Sequence, residues 1–93
     1  MSTRTGPSFP LRQIVATPND LSQIMQEDIM AALQRHMTGD WGELCAEDKL
    51  ANDCAVMEGT RILSAYRSVN GTKFWIVTEH DRRTTTILLP EDY

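Results

Sequence analysis

The stretch RILSAYRSVNGTKFWIVTEHDRRTTTILLP, Arg61 to Pro90, constrains the fold more than any other part of the chain. Its apolar residues alternate with polar ones, the period of a half-buried strand. Asn70-Gly71 sits between two such runs and predicts a tight hairpin of type I′. His80-Asp81-Arg82-Arg83 predicts a second turn, and Pro90 stops the last run. Three strands follow, over 61–68, 73–79 and 84–89, joined as an antiparallel meander. In the middle strand Phe74, Ile76 and Thr78 share one face, and Trp75, Val77 and Glu79 the other. The first set is expected to face the core, because Glu79 on the second needs water or a partner.

The front half changes period. Leu11 to Ala16 reads as a short edge strand. Thr17-Pro18-Asn19-Asp20 has the residues of a helix start, with a capping hydroxyl, a proline and an early carboxylate. Leu21, Ile24 and Met25, then Ile29, Met30, Leu33 and Met37, recur at helical spacing. They predict one helix over 18–37, or two with a break near Gln26, ended by Gly39. A further helix is expected over 46–58, with Leu50, Cys54 and Met57 as its apolar stripe and Gly59 as its cap. The order β-α-(α)-α-β-β-β predicts an α+β fold: a three- to four-stranded antiparallel sheet with two or three helices packed on one face. Residues 1–8 read as a flexible tail and 9–93 as one α+β domain, a size that leaves a thin core.

Charge divides the chain. The net charge is −4. Asp40, Glu43, Glu47, Asp48, Asp53 and Glu58 face only Lys49 in the middle, whereas Arg61, Arg67, Lys73, Arg82 and Arg83 outnumber Glu79 and Asp81 behind it. An acidic chain is not expected to bind nucleic acid directly. No apolar run reaches membrane-spanning or signal-peptide length, so no membrane role is expected and a cytoplasmic location is the default. Cys45 and Cys54 are expected to be reduced and buried. Their nine-residue spacing, with His36 and His80 as the other candidates, does not match a zinc site, so no metal is expected. No glycine-rich cofactor or nucleophile signature is present, and no cofactor is expected. His36, near the end of its helix, reads as a partner of the helix dipole or as a surface residue.

Two constellations remain. Trp41, between Gly39-Asp40 and Gly42-Glu43, is either a plug over the helix–sheet junction with its indole N–H paired, or an exposed anchor for a partner. With it, Asp40, Glu43, Glu47, Asp48 and Asp53 form the candidate binding set. On the sheet, Arg61, Tyr66, Arg67 and Lys73 combine basic and aromatic character, as in surfaces that track a phosphate backbone. Cross-strand charge pairing on a solvated face explains the same residues.

The motifs GDWGEL (Gly39–Leu44), RILSAYR (Arg61–Arg67), GTKFWIVTEHDRRTTTILLPEDY (Gly71–Tyr93) and IVATP (Ile14–Pro18) resemble a family of small, uncharacterised bacterial proteins carried on plasmids and other mobile elements. Members are sometimes labelled restriction-related. Ninety-three residues cannot hold a methyltransferase domain, so the resemblance implies a mobile-element setting and not a reaction. The function expected is non-enzymatic: a protein-binding domain inhibiting a host nucleic-acid-targeting defence, CRISPR or restriction, through its acidic surface. The alternative is a fold resembling the mRNA-interferase and gyrase-inhibiting toxins, acting through Arg61, Tyr66, Arg67 and Lys73.

Overall fold

A computed structural model describes residues 12–16, 24 and 26–90. The tail at 1–8 and the helix start at Thr17–Asp20 lie outside the described residues. The elements are β1 (Gln13–Ala16), α1 (Gln26–Met37), α2 (Ala46–Glu58), β2 (Ile62–Arg67), β3 (Lys73–Thr78) and β4 (Thr84–Leu88). Ile24 lies in a bend, so a single helix over 18–37 does not form.

The fold is α+β, with a four-stranded sheet in the order β1-β4-β3-β2. β2, β3 and β4 form the expected antiparallel meander. β1 departs from it. It pairs parallel to β4, Ile14 opposite Thr85, so the sheet is mixed and not wholly antiparallel. The reason is connectivity: α1, α2 and two further strands intervene, and a crossover of that length can return the chain in either direction.

The first hairpin also differs from its prediction. Ser68 donates its N–H to the Thr72 carbonyl at 2.9 Å, which leaves three residues in the loop. Gly71 has φ of 89°, but Asn70 has negative φ, so a type I′ turn is excluded. The glycine takes the left-handed position of a three-residue loop instead. Asn70 spends its side chain inside the turn, accepting from the Ser68 hydroxyl and from the Thr72 N–H.

Phe74, Ile76 and Thr78 do face the core. Phe74 and Ile76 join Tyr66 and Ile87 in a cluster with Ile29, Ala32 and Leu33 of α1, and Thr78 is buried beside them. The buried stripe of α1 is thus Ile29, Ala32, Leu33 and His36. It is rotated from the expected set, and Met30 is largely exposed. Glu79, just past the end of β3, has a partner in Arg61, 3.7 Å away just before β2.

Helix α2 departs most. Leu50, Cys54 and Met57 all point to solvent, and the residues buried are Asn52 and Ala55. Both cysteines are therefore exposed and not buried. The cause is the free edge of β2. Alternate residues of an edge strand present an unpaired N–H and C=O. At Leu63 the Asn52 side chain answers both, donating to the carbonyl at 2.6 Å and accepting from the N–H at 3.3 Å. At Ala65 the segment 41–43 does the same, through Ala65 N–H to the Trp41 carbonyl and Glu43 N–H to the Ala65 carbonyl. Gly42 sits in that bridge at φ of 75°, and a Cβ there would press on the Ala65 carbonyl and come within 2.8 Å of the Tyr66 ring. The small Ala55 lets α2 come close enough for Asn52 to reach.

Asn52→Ala is expected to cost about 2 kcal/mol, because it strands a partly buried donor and acceptor together. Urea unfolding followed by circular dichroism checks this. A loss within about 0.5 kcal/mol, the range of an ordinary surface substitution, would show that water replaces the amide.

Candidate functional site

The segment that joins α1 to α2 carries most of the candidate residues. Helix α1 ends at Met37, and Gly39 turns the chain with φ of 85°. Asp40 then folds back on the helix. Its carboxylate accepts two bonds from Arg35, at 2.8 and 3.2 Å. That hydrogen bond, ahead of the through-space attraction, holds the Asp40 carboxyl below the usual carboxylate range and raises Arg35. The Asp40 carbonyl accepts from the Tyr66 hydroxyl at 2.6 Å. The Arg35 guanidinium lies 4.9 Å from the centre of the Tyr66 ring.

This latch drives Trp41 inward. Its side chain is 1% exposed and packs with Ala55 and Ile62, with Leu44 and Val56 at the margin. The indole N–H donates to Asp53 Oδ1 at 2.8 Å, which ties the loop to α2. Trp41 is the plug of the two readings, and a residue sealed from water cannot be a surface anchor.

Under the plug lies a polar group expected at the helix end as a dipole partner or on the surface. His36 is fully buried. Nδ1 shares a hydrogen bond with the Ser64 hydroxyl and Nε2 one with Thr78 Oγ1 at 2.8 Å, so one ring nitrogen donates and the other accepts. Thr78 passes the chain to Thr85, also at 2.8 Å. The Trp41 ring meets the imidazole edge-on at 5.8 Å between centroids. Burial, with a smaller contribution from the positive charge of Arg82, pushes the His36 pKa down to about 3, so the ring is neutral at neutral pH. A serine beside a histidine is the beginning of a nucleophile–base pair. Here both are 0% exposed, and no substrate can reach them. The apolar stripe of α1 could have revealed His36, since it follows Ile29, Ala32 and Leu33 at helical spacing.

The six candidate binding residues therefore separate. Asp40, Trp41 and Asp53 hold the fold together. Glu43 is exposed and lies 3.3 Å from Arg67. Glu47 and Asp48 are exposed in the first turn of α2, where they complement the helix dipole. Cys45, at the cap position of that helix, makes no side-chain capping bond. Glu47 and Asp48, with Glu58 at the far end, remain as the acidic surface.

The basic and aromatic set of the sheet is not one cluster. Tyr66 points to the core, and burial raises its hydroxyl pKa. Arg67 and Lys73 sit opposite each other on the other face, with Arg67 near Glu43 and Arg61 near Glu79. Arg82 is a clamp: it donates to the carbonyls of Ala55 at 2.8 Å and Thr60 at 2.6 Å, putting a cation at the C-terminus of α2.

Among the described residues, no group of three or more His, Cys, Asp or Glu is placed to hold a metal ion, and no helix is long and apolar enough to cross a membrane. No protein-family model, curated protein or solved structure matches the chain.

Proposed function

We propose that the chain is a non-enzymatic protein-binding domain of a mobile element that inhibits a host nucleic-acid-targeting defence, CRISPR or restriction, by setting the outer surface of α2 on a basic channel of that machinery. One observation carries this reading. The carboxylates of Glu47, Asp48 and Glu58 stand exposed on α2 with Lys49 as its one cation, and the last turn has no basic residue. A surface of one sign is drawn to the opposite sign and competes with nucleic acid for it. The resemblance of GDWGEL and RILSAYR to mobile-element proteins supplies the setting. The surface is the protein's own, because the carboxylates spent on folding, Asp40 and Asp53, are different ones.

Phage plaquing on cells that carry a CRISPR or restriction system, with and without the protein, tests the reading. Expression is expected to restore plaquing. The double variant Glu47→Lys, Asp48→Lys should weaken capture of the defence complex by about tenfold or more, since like charges then face each other. Capture should also weaken as salt shortens the range of the attraction. Protection that survives the double charge reversal, or none from the unmodified protein, would overturn it.

A further inference from the structure

Helix α2 packs Ala55 and part of Val56 on the core but leaves its two largest apolar side chains outside it. Its larger apolar side chains, Leu50 and Met57, are 64% and 80% exposed, while its buried face uses Asn52 and Ala55. A helix normally turns its apolar stripe to the core. At 3.6 residues per turn, Leu50, Cys54 and Met57 fall within about 60° of each other and span about 10 Å along the axis. Glu47 and Glu58 follow on one flank of that stripe, and Ala46 and Asp53 on the other. Two turns of apolar contact with exposed carboxylates along one edge is a pattern by which one helix reads another, since Asp53 on the other flank is taken by Trp41.

The geometry points to a specific occupant: a partner helix whose own apolar stripe, repeated at i, i+3 or i+4, and i+7, is flanked by lysine or arginine. This rests on the protein-binding reading above and names the part of the defence machinery that α2 would hold. The charge decides the occupant. A second copy of this chain would set Glu47 and Glu58 against their own kind, and a like-charge juxtaposition is costly. A partner with basic flanks turns the same carboxylates from a penalty into a guide for register. The folded core does not compete for the stripe, because Asn52 is bonded to both main-chain groups of Leu63 and Ala55 lies against Trp41 and Ile62. Rolling α2 to bury Leu50 would break those bonds.

Three synthetic helical peptides test this by fluorescence anisotropy with the full chain. One has leucine on the stripe and lysine on its flanks, the second the same stripe with glutamate flanks, and the third the lysines with the stripe made polar. Only the first is expected to bind, and Leu50→Ser with Met57→Ser should weaken it by about tenfold, the size expected from removing two exposed apolar anchors. Both positions are exposed, and circular dichroism should show the variant folded. Equal binding of the first and third peptides would reduce the effect to bulk charge and overturn the proposal. So would binding of the glutamate-flanked peptide, or sedimentation as a dimer that the double serine variant dissolves. In the phage assay, protection by a protein carrying the two serines would defeat this inference and leave the acidic-surface reading standing. Peptide binding without any protection would defeat the defence reading and leave this inference standing.

Discussion

Trp41→Ala is expected to remove about 3–5 kcal/mol of stability, the range for deleting a large aromatic from a core. Three losses combine. The indole leaves a cavity between Ala55 and Ile62 that α2 cannot close while Asn52 holds it to Leu63. Asp53 loses the N–H that it accepts. His36 loses the ring that shields its edge. A domain of this size has about 5–15 kcal/mol in total, so the variant should be marginal at room temperature. Urea unfolding measures the loss, and Trp41→Phe divides it: it keeps an aromatic ring in the site but loses the indole N–H and part of the volume, so it should cost less than Trp41→Ala. A Trp41→Ala variant within 1 kcal/mol of the parent would mean that the indole is not the plug. Trp41 emission should also shift to the red on unfolding, measured in a Trp75→Phe background so that one indole reports.

Acid should unfold the protein through His36. The sign follows from where the proton is bound. The unfolded chain takes a proton on this ring near pH 6.5, whereas the folded chain resists until about pH 3, because the charged ring would sit dry between Ser64 and Thr78. The unfolded state therefore binds more protons throughout that window, and stability falls as pH falls. It is complete above pH 6.5, declines by about 1.4 kcal/mol per pH unit below it, and levels off near pH 3, for a total on the order of 5 kcal/mol. Asp40 acts in the same direction but lower, since Arg35 holds its carboxyl below the usual range and its share is lost only below about pH 4. Unfolding free energies at pH 7, 6, 5 and 4.5 give the slope. The His36 ring resonances of the folded protein should stay in the neutral form over the same range. A His36 that titrates near pH 6.5 in the folded state would remove the linkage and the slope together.

Period and turn residues in the sequence determined the three-strand meander, the helix over 46–58 and the Gly59 cap, since these depend on neighbours a few residues away. The inward face of β3 was indicated by Glu79, whose charge beside the opposite face calls for water or a partner. The tertiary structure decided what no local pattern carries. The direction of β1 depends on a crossover of two helices and two strands. The rotation of α2 depends on an edge in another element, because two unpaired main-chain groups at Leu63 outweigh the burial of Leu50 and Met57. His36 lies inside because Ser64 and Thr78, far along the chain, supply its hydrogen bonds. The acidic segment looked uniform in sequence. Only the fold separates Asp40 and Asp53, which close the loop onto α1 and α2, from Glu47 and Asp48, which are left exposed to water. A carboxylate's role is set by which donor reaches it, and those donors come from residues brought together by packing.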